Sequence, residues 1–410
     1  MRWLLPLLLV GTASLAIAAD EHRPFPQHTR YQPGTLPPSE PQAALDAAVC
    51  DTYRAWRQRY LRDAGPGEKY VFANADGTCD DPATRSVSEG HGYGMLIAVL
   101  MSGPEQPEAR ADFDALARFY LAHPTTEHPP LMAWRQVAER GGRLIEQIDD
   151  RDSATDGDLD IAYALLRAEA QWGNAGAIDY GTAARKLLAA ITAAEMHPER
   201  HTLQLGNWVE PGSKYDGALR PSDFMPGHWK AFAAATGDPR WTQALDATYT
   251  LLAEAATRHA PQTGLLPDFL QISKASYTPA PPKFLEGKHD GAFGYNACRV
   301  PWRIGTDYLL TGDPRALALL RPMNTWARTA TEGDPDRLNA GYRLDGHPLA
   351  EDESSAFWGP FAIAAMTDPD HPEWLNALWQ KLRTRPMKED DYYGNTIKLL
   401  TMIVVSGNWW

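Results

Sequence analysis

Two short runs of this 410-residue chain concentrate side chains able to move protons. Ser88-Glu89-Gly90-His91-Gly92-Tyr93-Gly94-Met95 sets one carboxyl among three glycines, which let a bulky ligand approach the backbone. Ala154-Thr155-Asp156-Gly157-Asp158-Leu159-Asp160-Ile161-Ala162-Tyr163 places three acids within five residues. On a helix, Asp156 and Asp160 fall on one face, one turn apart, and Asp158 points elsewhere. Carboxyls gathered at one place are general acid–base equipment. The plainer readings are a capping Glu that complements a helix dipole, and an acidic helix start. Calcium is the other use for such acids, but the EF-hand spacing fails, since no bidentate Glu follows at the right offset.

The elements that must position these runs are helical. Apolar residues recur at helical spacing over about 41–63, 89–102, 109–123, 157–172, 179–193, 223–236, 240–258, 300–311, 315–331, 354–366, 372–383 and 393–406. Ser88, Asp156, Ser222 and Asp313 stand where capping residues belong. Little of the chain alternates apolar and polar residues, so strands should be scarce. Twelve helices with alternating short and long connections make six helical hairpins, an all-α chain able to close as an (α/α)6 barrel. An open solenoid is the alternative, but no short sequence motif repeats. The long loops 80–88, 124–155, 194–221, 261–299 and 332–353 carry most of the Trp, Tyr, Asp and Glu that helix packing does not use. Loops gathered at one end of a barrel are where a site is built.

Composition narrows the class. Arg2 precedes the apolar run Trp3 to Ala18, which ends in the small residues Ala16-Ile17-Ala18, as a cleaved secretory leader does. Pro6 and the short length argue against an anchor. A secreted protein with a leader over 1–18, an extended Pro-rich arm over 19–40 and one catalytic domain over 41–410 is expected, soluble and monomeric. Cys50, Cys79 and Cys298 are too few for a disulfide scaffold, and spacing leaves open whether Cys50 and Cys79 pair. No CxxC, HExxH or His cluster occurs, so neither a metal nor another cofactor is expected. A net charge of −13 argues against a nucleic-acid partner and is compatible with a cationic substrate.

Together the two acidic runs resemble glycoside hydrolase family 8, which includes endo-β-1,4-glucanases, chitosanases and xylanases. Ala154 to Asp158, with Ile161-Ala162, Ala164-Leu165-Leu166, Ala168 and Trp172, matches the family signature. The Ser-Glu-Gly-x-Gly-Tyr-Gly-Met run matches its catalytic-acid segment. Pro221-Ser222-Asp223-Phe224-Met225-Pro226 and Arg299-Val300-Pro301-Trp302-Arg303 resemble two further blocks. The resemblance spans roughly residues 45 to 405 and implies an (α/α)6 barrel, an inverting mechanism and a β-1,4-linked polysaccharide substrate. It implies Glu89 as the proton donor and Asp156 as the acid holding the sugar before the cut. A helix N-terminus should lower the pKa of Glu89, so desolvation and the charge of Asp156 must raise it for acid catalysis.

One departure matters. Where the cellulase-like branch reads Tyr-Asp-Ala and uses that Asp as base, this chain reads Tyr295-Asn296-Ala297. An amide cannot take a proton from water. The run Phe284-Leu285-Glu286-Gly287-Lys288-His289-Asp290 resembles the chitosanase-like branch, in which an inserted loop supplies the base. Glu286 is then the first candidate, Asp290 the second, and Asp268 a third with a more structural look. Tyr93, Trp134, Trp208, Tyr215, Tyr295, Trp302 and Tyr392 lie in or beside loops and are candidates to stack on sugar rings, each with core packing as its plainer role. Arg135, Asp290, Asn296 and Arg299 join them as candidate substrate contacts. The charge and base loop favour chitosan, the family match favours β-1,4-glucan or mixed-linkage glucan, and xylan is a further alternative. A carbohydrate-binding protein that has lost catalysis is the reading that Asn296 alone suggests. A polysaccharide lyase would need a Tyr or His base and cations, where this chain offers carboxylates.

Overall fold

Three helices in this chain, Ser88–Met101, Ser355–Ala365 and Tyr392–Val405, are largely apolar and buried on almost every side. Such a helix needs neighbours all round it. The computed structural model, which describes residues 21–77, 79, 81–273, 276–389 and 391–410, supplies them. The leader expected over 1–18 lies outside the described residues. Six helices form a closed inner ring: α2 (Ser88–Met101), α4 (Thr155–Trp172), α6 (Pro226–Thr236), α8 (Val300–Thr311), α10 (Ser355–Ala365) and α12 (Tyr392–Val405). Each packs on the next, and α12 returns to α2. Outside them stand α1 (Gln42–Tyr60), α3 (Ala109–Ala122), α5 (Tyr180–Ala194), α7 (Pro239–His259), α9 (Pro314–Ala330) and α11 (Pro372–Thr384). These outer helices carry one buried face and one wet face, as α5 does with Leu187, Leu188 and Ile191 inside. The result is an (α/α)6 barrel, its twelve helices in the expected order, with α1 ending at Tyr60 rather than 63 and α6 beginning at Pro226 rather than 223.

Helix starts differ from expectation in three informative places. Ser88 is the first residue of α2 and Val87 precedes it as the cap; Asp156 is the second residue of α4, behind Ala154. Neither side chain caps its helix. Asp313 does cap α9, accepting from the Arg315 N–H at 3.0 Å. Ser222 lies in a single 3-10 turn, Pro221–Asp223, and α6 begins at Pro226, whose missing N–H suits a first helical position. Among the described residues the strands are few: β1 (Leu61–Gly65) with β2 (Glu68–Val71) directly after α1, and, in the long loops, β3 (Thr84–Val87) with β4 (Arg135–Ala138) and β5 (Leu144–Ile145), and β6 (Leu270–Ser273) with β7 (Ser276–Pro279).

The two ends of the ring are unlike. The arm before α1 runs extended across the helix C-terminal ends, its N–H groups closing carbonyls there: His22 to Gln171, Phe25 to Ser102, Thr29 to Gly407, Gln32 to Leu309 and Leu36 to Met366. These are carbonyls that a helix leaves unpaired at its end. Trp409 and Trp410 fill the same end, Trp410 between the guanidinium groups of Arg23 and Arg167. With that end closed, the N-terminal ends of the inner helices are left to build a site.

The glycines of the first run do not make room for a ligand. A Cβ on Gly90 would meet the Tyr392 hydroxyl at 2.2 Å, on Gly92 the Asp160 Cβ at 2.7 Å, and on Gly94 a Val71 methyl at 2.4 Å. They let α2 press against its neighbours. Gly157 is the partner device on α4, where an added Cβ would lie 2.5 Å from Ser88 Oγ and 2.6 Å from its carbonyl carbon. Gly157→Ala is therefore expected to destabilise the protein by about 1–3 kcal/mol through overpacking. Because the displaced residue adjoins Glu89, turnover should fall as well. Chemical unfolding beside initial rates checks this, and a variant with unchanged midpoint and rate would refute it.

Candidate active site

A cleft of about 700 Å³ opens among the N-terminal ends of the inner helices. Glu89, Asp156 and Glu286 all line it, with Trp134, Arg220, Tyr295, Asn296 and Tyr393. Glu89 comes from the first turn of α2, Asp156 from the first turn of α4, and Glu286 from the loop after β7.

One buried guanidinium organises the first two. Arg299, fully buried just before α8, donates from Nη1 to Glu89, to the Tyr93 hydroxyl at 3.1 Å and to Asp156 Oδ2 at 2.9 Å. Its Nη2 donates to Ser222 Oγ and to Asn296 Oδ1, both at 2.9 Å. Arg220 adds a second cation, 2.8 Å from Asp156 Oδ2 and 3.6 Å from Glu286 Oε1. Asp156 thus holds both guanidinium groups. Burial works to raise its pKa, but Arg220 and Arg299 outweigh it and keep the carboxyl well below the usual range. Glu89 goes the other way. Desolvation against the barrel wall and the charge of Asp156 push it up to about 7, against the pull of Arg299 and Arg220. Of these two neighbouring carboxyls, Asp156 stays ionised and Glu89 is the one able to carry a proton near neutrality.

Glu286 is half exposed. The Asn296 amide donates to its Oε2 at 2.7 Å, while the Asn296 carbonyl oxygen receives Arg299, so the amide has one orientation. The loop beneath is pinned. Asp290 accepts N–H bonds from Leu285 and Glu286 on Oδ2 (2.7 and 3.1 Å) and from Gly287 on Oδ1 (2.7 Å). Lys214 donates to the Phe284 carbonyl at 2.8 Å, and the Phe284 ring packs with Leu205, Val209 and Phe269. Asp290 is 3% exposed and does not line the cleft; its oxygens are taken up in holding the Glu286 backbone. Asp268 is likewise buried. Its Oδ1 gathers the N–H groups of Gly294, Asn296 and Ala297, and burial raises its pKa to about 7.

The aromatic candidates divide. Trp134 and Tyr295 line the cleft, and Tyr295 is half exposed. Tyr93 is buried beneath it, its hydroxyl donating to Glu89 Oε1 at 3.1 Å. Trp302 is a correction. It is 1% exposed and sits in the barrel core, with the Arg303 guanidinium 3.9 Å over its ring. Tyr392 is also buried, against Gly90 and Tyr60. Trp208 lies outside the lining, edge-on to Tyr215 at 5.1 Å. Arg135 does not reach the cleft lining; it pairs with Asp150 at 2.8 Å and backs the Trp134 ring at 4.9 Å. Sequence reasoning missed Arg220, whose partners lie 64 and 66 positions away, and the acid-rich far wall of Asp76, Asp352, Glu353, Asp391, Lys388 and Tyr393. Asp391 caps α12, accepting from the Gly394 N–H at 2.7 Å. Away from the cleft, Cys50 is a buried free thiol receiving the Gln106 amide at 3.6 Å, so no disulfide joins it to Cys79.

Comparison with known proteins agrees with this architecture. The sequence profile of glycosyl hydrolases family 8 matches residues 42–407. A beta-glucanase of Niallia circulans is 44% identical over 411 residues, covering 100% of this chain and 96% of the relative. An endoglucanase of Bacillus sp. is 35% identical, covering 98% and 85%. The apo structure of a beta-1,3-1,4-glucanase from Paenibacillus sp. X4 superposes with a TM-score of 0.89 at 43% identity, covering 95% and 99%.

Proposed function

Because the chain belongs to glycosyl hydrolases family 8 and is an endo-acting glycoside hydrolase, we propose that it cuts mixed-linkage β-1,3-1,4-glucan by inversion, with Glu89 as acid and Glu286 as base. The observation that carries this reading is the convergence of Glu89, Asp156 and Glu286 on one cleft, with the proton-holding carboxyl and the ionised one told apart by their surroundings. Glu286 takes a proton from a water as the water oxygen bonds to the anomeric carbon. The glycosidic C–O bond breaks, and Glu89 gives its proton to the departing oxygen. Asp156, ionised and fixed by Arg220 and Arg299, holds the sugar that precedes the cut and steadies positive charge developing on its ring. An inverting pair needs about 6.5–9.5 Å between carboxyls to admit the water. In this reading the water sits between Glu89 on the barrel wall and Glu286 on its separate loop. Trp134 and Tyr295 supply apolar faces for sugars along the cleft.

The choice of glucan follows the names of the relatives at 43% and 44% identity. No helix among the described residues is long and apolar enough to cross a membrane. An apolar leader over 1–18 fits export to where a polymer is found. A panel of barley-type mixed-linkage glucan, carboxymethylcellulose, chitosan and xylan tests the reading. Mixed-linkage glucan should be cut fastest, releasing oligosaccharides whose new reducing ends first appear in the α configuration by NMR. Fastest release from chitosan would overturn the substrate, and β-configured first products would overturn inversion.

A further inference from the structure

Behind the cleft lies a pair of acids that the proposed chemistry leaves unused. Asp158 on α4 and Glu195 at the end of α5 are both 0% exposed, and their carboxyls lie near enough for each to bear on the other's titration. Asp158 Oδ1 accepts the Met132 N–H at 2.9 Å, and Glu195 Oε1 accepts the Ser153 hydroxyl at 2.5 Å. That leaves Asp158 Oδ2 and Glu195 Oε2 buried without a hydrogen-bond partner, the nearby Thr155 hydroxyl donating to the Gln204 carbonyl at 2.7 Å. A single proton held between the carboxyls satisfies both oxygens. Two bare carboxylates in contact there would face each other without solvent or a cation.

What the pair holds is one wall of the cleft. Met132 stands two residues before Trp134. The Trp134 N–H donates to the Asp152 carbonyl at 2.8 Å, and its own carbonyl receives the N–H of Ser88, next to Glu89, at 2.9 Å. Ser153 and Asn207 exchange bonds, Ser153 N–H to Asn207 Oδ1 at 2.8 Å and Asn207 N–H to Ser153 Oγ at 3.0 Å. The loops before α4, after α5 and around Trp134 thus meet on two carboxyls. We propose that Asp158 and Glu195 share one proton and act as positioning residues, seating the Trp134 wall against the start of α4, so that losing the proton weakens sugar binding. The inference needs only a sugar-binding cleft, whichever residue is the base.

The direction with pH follows. Burial raises both carboxyls, Glu195 to about 8 and Asp158 well above the carboxylate range; Asp156 on the same helix adds to the rise in each. Tyr120 of α3 is the other titratable group that feels Asp158. The contact is intact below that point and is lost as pH rises through it.

The test uses the Glu89→Gln protein, in which the acid of the cleft no longer titrates, and a hexasaccharide of whichever polymer the wild type cuts fastest. Its Kd should be level up to neutrality and weaken about tenfold one pH unit beyond the pair's midpoint, since only the protonated fraction binds. Adding Glu195→Gln, whose amide can donate to Asp158 while its carbonyl receives Ser153, should abolish the pH dependence. Adding Glu195→Ala should weaken binding at every pH. If the Kd does not move between pH 7 and 9, or moves equally with Gln at 195, the proposal is overturned. If Glu195→Ala lowers only the melting temperature and leaves the Kd alone, the pair is architectural and the positioning role is refuted.

Discussion

Glu89→Gln is expected to cut turnover by ~10²–10⁴-fold, the contribution of a positioned general acid, while oligosaccharide binding stays within a few-fold of the parent. Gln keeps the shape and an oxygen that can receive both the Tyr93 hydroxyl and Arg299, the two groups that now meet Glu89 Oε1. What it lacks is a proton to give. Calorimetric titration of the variant, beside reducing-sugar release by the wild type, separates the two effects. Retention of more than a hundredth of the activity would sink the assignment. The pH profile carries the same claim. Glu89 titrates near pH 7 because burial disfavours its charge and Asp156 adds to that. An acid catalyst must be protonated, so turnover should fall as pH rises through about 7. Arg220→Leu, which leaves Asp156 with Arg299 alone, should raise the pKa of Asp156 and displace that profile.

How much of this was legible without the structure depends on whether a residue acts locally. The helices were, because each needs only its own periodicity, and α8 was placed at 300–311 as found. The start of α4 was not, by two residues. An Asp followed by helical periodicity reads as a cap, yet Asp156 turns inward to two arginines supplied by distant loops. The same distance hid Arg220. The three glycines around Glu89 were visible, but their purpose was not, since nothing in the run says that Tyr392, α4 and Val71 lie against them. Trp302 and Trp134 look alike in sequence; one is stacked inside on Arg303 and the other faces the cleft. Asp290 and Glu286, four residues apart, were separated only by the loop's own hydrogen bonds, which spend Asp290 on backbone N–H groups and leave Glu286 half open.

That separation makes the base testable. Glu286→Ala is expected to lose most activity, because no group is left to take the proton from water, while Glu89 still protonates the leaving oxygen. Activating a water by general base is again worth ~10²–10⁴-fold. Azide is an anion and needs no deprotonation. In the space vacated by the carboxylate it should bond to the anomeric carbon as the glycosidic bond breaks, giving a glycosyl azide of inverted configuration and restoring part of the rate. Added to Glu89→Gln it should do nothing, since there the leaving oxygen has no proton donor. Asp290→Ala is expected to lower activity for another reason: Leu285, Glu286 and Gly287 lose the acceptor that fixes their N–H groups, so azide should not rescue it. Asn296→Asp closes the argument. It replaces a donor at 2.7 Å from Glu286 with a second carboxylate that repels the first, and is expected to lower turnover rather than add rate. A large gain from Asn296→Asp would show instead that position 296 is where the base belongs, and azide rescue of Asp290→Ala but not Glu286→Ala would move the role to Asp290.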